Sequence, residues 1–171
     1  MLPTSLQLLT LPLVYVWGVF LEWFIHRYVF HGLGKSRDSR FAFHYHDHHR
    51  ACRKLAGADP AFDGSLLRWN AYGREALGLS VLLLLQLPVL FVSPITFAGL
   101  VLFGVRYHRV HKRCHVDPEW GWANVPWHMA HHVGRGDGNW CVTTGWLDRL
   151  LGTQHPWEAA RQRALVDGGV R

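Results

Sequence analysis

The 171-residue chain is 49% hydrophobic, contains 9 Trp, 13 His and 3 Cys, and carries a net charge of +6. It is too apolar for a disordered chain, and its cysteines at 52, 114 and 141 form no C-x-x-C pair, which argues against a disulfide scaffold or a Cys-type zinc finger. No basic run or basic helix accompanies the positive charge, so nucleic acid is not an expected partner, and the length suits one domain over 1–171.

Mean hydropathy is zero, but this averages two kinds of segment. Residues 1–21 and 76–105 hold no charged side chain at all. Leu6 to Phe24 is nearly continuous apolar sequence, about the length that crosses a hydrocarbon core. No basic stretch precedes it and no small-residue cleavage site follows it, so it is expected to be retained. Tyr15, Trp17 and Trp23 suit the interfacial positions beside a span. The glycine-, aspartate-, serine- and proline-rich stretches 32–43 and 55–65 read as loops.

The second apolar block, 76–105, is too long for one straight crossing, and Ser93-Pro94 interrupts it near the middle. A hairpin follows, dipping in and returning to the same side. Apolar spans are therefore expected at about 5–25, 76–92 and 95–110. All Lys and Arg lie at or after Arg27, outside these blocks. By the positive-inside rule both basic segments face the cytoplasm and the N-terminus lies outside. Trp120, Trp122 and Trp127 read as an interfacial belt, 133–139 as a loop, and 156–171 as a short tail. No strand pattern is present. The expected fold is all-α: an integral-membrane helical bundle, in a bacterial inner membrane or its equivalent, with a cytosol-facing histidine-rich site.

Twelve of the 13 histidines fall into four groups: His26 and His31; His44, His46, His48 and His49; His108, His111 and His115; His128, His131 and His132. On an α-helix, positions three, four and seven apart share a face. His108, His111 and His115 then form one stripe, and His128, His131 and His132 another. His44 and His48 share a face from which His46 points away. His26 and His31, five apart, need a helix end or bend to converge. His155 stands alone. Neutral imidazole is the commonest metal ligand and suits Fe, Zn, Cu and Ni. So many histidines imply two metals, gathered from several helices. The second and third groups flank the apolar hairpin, so they meet only if it returns to its starting side.

The motifs HRYVFH (26–31), HYHDHH (44–49), HKRCH (111–115) and HMAHH (128–132), followed by GRGDGNWCVTTGWLDRLLGT, resemble the fatty acid hydroxylase/sterol desaturase superfamily of membrane diiron enzymes. The resemblance extends over about residues 10–155 and is partly shared with bacterial β-carotene hydroxylases. The Gly-Thr tail favours the fatty acyl or sterol side; carotenoid β-ring hydroxylation is the alternative. The resemblance implies two Fe held by His26, His31, His44, His48, His49, His111, His115, His128, His131 and His132, with His108 as an extra candidate. Zinc could occupy the same site in purified protein. It also implies O2-dependent hydroxylation or desaturation of a lipid C–H bond, with electrons from a ferredoxin or a cytochrome b5-like protein and its reductase. This chain has H-x3-H-H in the second group where the family often has H-x2-H-H, which leaves open the choice among His44, His46, His48 and His49.

Glu22 lies four residues before His26 inside an apolar helix, where an acid is costly and usually paired. Metal-bound histidines commonly donate their second N–H to a carboxylate, so Glu22 is expected behind His26 or a neighbouring ligand. Asp47, Asn139 and Asp148 are further candidates for such support. The competing class is a histidine-rich zinc-binding or metal-transport membrane protein. No E-x-x-H pair, Ser-His-Asp elbow or H-E-x-x-H motif supports a ferritin-like or hydrolytic site.

Overall fold

The computed structural model describes residues 1–168, which are mainly helical with no strand among them. The first apolar stretch folds as α1 (Thr4–Leu9) and α2 (Leu11–Phe24), then continues as a π-helical turn, Ile25–Phe30. The 32 residues Thr4–Lys35 form one run long and apolar enough to cross a membrane.

The second apolar block is a hairpin. Its outgoing arm is α4 (Ala71–Leu85) and α5 (Pro88–Val92); its returning arm is α6 (Pro94–Val116). The break expected at Ser93-Pro94 is present, and Pro88 brings a second near Gln86. Ala71–Val92 is the other run long and apolar enough to span, and only 6% of its apolar window is buried within the protein. Such an outward-facing apolar surface needs a non-aqueous or protein cover.

Both arms pack on each other, and α2 packs on α6. Gly18 permits the latter contact: a Cβ there would lie 2.5 Å from the Phe103 ring. Buried Gln7 ties the N-terminus to the hairpin tip by donating from Nε2 to the Leu2 carbonyl and accepting from Ile95 N–H. The hairpin tip therefore lies at the N-terminal end of the first run, and the histidine groups gather at the other end.

That end is built from short elements. A second π-helical turn, Phe43–His48, leads into α3 (His49–Lys54). Then α7 (Pro118–Asn124), α8 (Pro126–Val133), α9 (Trp146–Leu150) and α10 (Glu158–Gly168) follow α6. Proline opens α6, α7 and α8, where the missing N–H costs nothing. Asp117 caps α7 by accepting from Trp120 N–H at 3.0 Å.

Several expectations are corrected here. The tail from 156 contains α10, whose Ala160 and Ala164 are buried against the α7–α8 core. Trp122 is buried in that core, with the partly buried Trp120 and Trp127 packed on it. Trp23 is also inside, donating its indole N–H to Thr153 Oγ1 at 3.1 Å. The cysteines are buried and unpaired.

Candidate metal centre

Five buried histidines, His26, His31, His44, His49 and His131, each bring one nitrogen within 4.8 Å of every other. Four more, His48, His111, His115 and His132, meet the same condition in a second cluster. His128 lies beside the second: its Nε2 is 3.3 Å from His115 Nε2 and 3.1 Å from His132 Nε2.

The π-helical turns explain how the sequence achieves this. A π turn bonds residue i to i+5, which brings side chains five apart onto one face. His31 N–H donates to the His26 carbonyl, and His49 N–H to that of His44. Both H-x4-H pairs therefore enter the first cluster. The α-helical expectation that His44 and His48 share a face is overturned, because His48 turns to the second cluster instead. Of the four histidines in this group, His44, His48 and His49 join the clusters. His46 binds the Lys35 carbonyl through Nε2 at 2.9 Å and stands outside.

Regular α-helix supplies the rest. His111 and His115 lie one turn apart on α6, and His131 and His132 are consecutive on α8 but enter different clusters. His108 is in neither cluster. Its Nε2 lies 3.1 Å from the Tyr72 hydroxyl and its ring stacks on Tyr72 at 5.0 Å. His155 is outside too, 3.9 Å from Asp137.

Nδ1 hydrogen bonds orient four rings, and a fifth ring lies against a carboxylate. His26 donates to the Trp140 carbonyl at 2.5 Å, His131 to that of Gly138 at 2.6 Å, and His115 to that of Gly57 at 2.8 Å. His48 Nδ1 donates to Asp59 Oδ2 at 2.6 Å, while His111 Nδ1 lies 2.7 Å from Glu75 Oε2. A neutral ring with its proton on Nδ1 presents a bare lone pair at Nε2. The Nε2 atom of His48 and both ring nitrogens of His111 are buried with no hydrogen-bond partner in the protein.

The Nε2 contacts fit a shared cation. His31 Nε2 touches His49 Nε2 at 2.9 Å and His131 Nε2 at 3.0 Å, and His26 Nε2 lies 3.0 Å from His44 Nε2. One proton on His31 can serve only one of its two neighbours well, and His128 faces the same conflict between His115 and His132. A metal accepts all of these lone pairs. With metal–nitrogen bonds of about 2.1 Å, adjacent nitrogens lie roughly 3.0 Å apart in octahedral coordination and roughly 3.4 Å apart in tetrahedral coordination. The short contacts around the two clusters, 2.9–3.3 Å, lie close to both separations.

Burial, reinforced by the neighbouring imidazoles, holds His44, His48, His49, His115, His128, His131 and His132 neutral, well below the ordinary 6.5. Neutral imidazole is the form that binds metal.

The carboxylates were only partly foreseen. Glu22 is buried but touches no histidine. It accepts from Val142 N–H and Thr143 N–H, each at 3.0 Å, and from Thr143 Oγ1 at 2.6 Å. Asp148 accepts from Trp140 N–H at 3.0 Å and Cys141 N–H at 2.8 Å. Together they clamp the loop whose Trp140 carbonyl receives His26, so both support a ligand one step removed. Asn139 adopts φ 57°, a region asparagine tolerates, and its side chain pairs with the His155 backbone. Asp47 is exposed.

The acids that directly meet ligand rings, Asp59 and Glu75, went unread in the sequence. Glu75 had a signal: it is the last charge before the apolar block, as Glu22 is the first after the N-terminal one. Asp59 reads as an ordinary turn residue and does cap Ala61 N–H at 2.9 Å. Cys52 lies behind the second cluster, its Sγ 3.4 Å from His115 Nδ1.

An apolar cavity of about 790 Å³ lies between α2, α4 and α6, within the range of small-molecule sites. Ile25, Leu82, Leu100 and Phe103 are among its walls, and His26 of the first cluster and Glu75, which lies against His111, also line it.

No family model matches the chain, and neither curated proteins nor solved structures provide a match. The residues themselves therefore define the site: two adjoining, buried, all-histidine clusters able to hold metal ions.

Proposed function

We propose that the chain is a membrane-embedded diiron oxygenase that hydroxylates or desaturates a C–H bond of a lipid, of the kind its histidine motifs resemble. The observation that carries this reading is the pair of adjoining histidine clusters with His26 shared between the first cluster and the apolar cavity. The ligands are His26, His31, His44, His49 and His131 at one metal, and His48, His111, His115 and His132 at the other, with His128 beside the second.

Iron bound there supplies the O2 activation that attack on an unreactive C–H bond requires. The chain's residues do the rest. The cavity walls receive an apolar chain and exclude water. Asp59 and the Trp140, Gly138 and Gly57 carbonyls hold their rings so that Nε2 faces inward, and Glu75 lies against the His111 ring. Hydroxylation also consumes two electrons and two protons and releases one water. A ferredoxin or a cytochrome b5-like protein with its reductase is the proposed electron source. The site faces the cytoplasm by the distribution of Lys and Arg.

The first cluster gathers five imidazoles, more than the four ligands of a closed tetrahedral zinc site, which favours iron. The test is metal analysis of aerobically purified protein combined with lipid mass spectrometry of cells with and without the gene. Two irons per chain and a lipid shifted by one oxygen or two hydrogens are expected. Stoichiometric zinc with no O2-dependent lipid change would overturn the reading in favour of a zinc-binding or transport protein.

A further inference from the structure

We infer that the cavity mouth holds a binding site for the anionic headgroup of a single-chain lipid, formed by Arg40 and Arg74. This rests on the cavity being a lipid chamber, but not on its oxidising what it binds.

The lining is apolar except for few charged groups, and these are unevenly committed. Glu22 is engaged by Val142 and Thr143, and Glu75 lies against His111. The two cations of the lining, Arg40 and Arg74, form no ion pair with any carboxylate among the described residues. Arg74 is nevertheless held in place. Its guanidinium donates to the Arg40 carbonyl and lies over the Phe43 ring at 4.4 Å and the Trp69 ring at 5.3 Å. Its charge is thus positioned at the edge of an apolar chamber but not neutralised. Arg40 is exposed beside it.

The surroundings place this edge where a lipid headgroup would lie. Leu67 is 96% exposed and Trp69 76%, with Leu66 also exposed, next to Arg68 and Arg74. Exposed apolar and aromatic side chains interspersed with arginines suit a membrane–water interface. A guanidinium pair recognises a carboxylate or phosphate, and partial burial strengthens that contact. A neutral sterol or a carotenoid offers nothing to either arginine. An anionic amphiphile satisfies both parts of the site, its chain in the cavity and its head on the cations.

Binding is measured on the purified chain in a neutral detergent, by displacement of a fluorescent fatty acid. The competitors are palmitate, lysophosphatidic acid and methyl palmitate. At least one anionic ligand is expected to bind about tenfold more tightly than methyl palmitate; which one does so identifies the head as carboxylate or phosphate. Arg40→Gln should reduce the preference and the Arg40→Gln/Arg74→Gln pair should erase it, while Arg74→Lys retains part. Methyl palmitate binding should stay unchanged in Arg40→Gln, whose exposed side chain guards against a folding artefact. Equal affinity of all three ligands for the unaltered chain overturns the inference, as does equal loss of all three in Arg40→Gln. The assay needs neither turnover nor O2. Headgroup selectivity without O2 consumption would therefore sink only the oxygenase reading, and oxidation without selectivity only this one.

Discussion

Glu75 Oε2 lies 2.7 Å from His111 Nδ1, and both side chains are buried. Their contact joins the second turn of α4 to the C-terminal part of α6, across the base of the apolar hairpin. Carboxylates behind metal-binding histidines typically contribute about 10–100-fold in metal affinity or activity. Glu75→Ala is expected to lower metal occupancy of the second cluster by about that factor while sparing the first. Metal content per chain, measured against limiting added metal, checks this; full occupancy of both clusters would refute it.

Glu22→Gln acts by another route. The amide oxygen can still accept from Val142 and Thr143 N–H, but its NH2 replaces the oxygen that accepts from the Thr143 hydroxyl, and the charge that strengthens all three bonds is lost. We expect a loss of about 1–3 kcal/mol in folding stability and weaker metal retention by the first cluster, because the Trp140 carbonyl is no longer held towards His26. Thermal unfolding of the metal-loaded and chelated forms measures both effects. Unchanged melting together with unchanged metal content would exclude the clamp.

The two π-helical turns predict different effects for neighbouring histidines. His49→Ala should weaken the first cluster and His48→Ala the second, whereas His46→Ala and His108→Ala should leave both metals in place. Metal titration of the four variants separates these outcomes. A metal deficit in His108→Ala, comparable with that in His48→Ala, would contradict its placement against Tyr72.

Acid should release the metals. The clustered histidines are held well below 6.5 in the folded chain and return to about 6.5 when unfolded. Their contribution to stability is therefore fully present above about pH 6.5 and is lost as pH falls below it, since the unfolded chain takes up more protons. Metal retention and melting temperature should decline together between about pH 6.5 and about pH 5. Parallel dialysis and thermal scans read the trend; constant metal content across that range would oppose the all-imidazole ligand set.

Much of this arrangement is legible in the residues. Charge-free blocks mark the two apolar runs, Ser93-Pro94 marks the hairpin turn, and the histidine groups announce metal. What escapes is the assignment of each histidine to a cluster. Residue types do not reveal whether a turn bonds to i+4 or i+5, and that single choice moves His48 away from His44. Trp23 and Trp122 show the same limit. An indole suits both an interface and a core, and only tertiary packing decides between them. Asp59 looks like turn punctuation because it is a cap as well as a histidine partner.

His48 and His49 are peptide neighbours that serve different clusters, as are His131 and His132. Consecutive Cα atoms are fixed about 3.8 Å apart. Two covalent rulers thus link the pair of clusters. Their separation cannot drift with breathing of the helix bundle, and neither pocket can be emptied or reshaped without tugging on the other. Loading of one centre should therefore pre-form the other, so that partly metallated chains are rarer than independent filling would give.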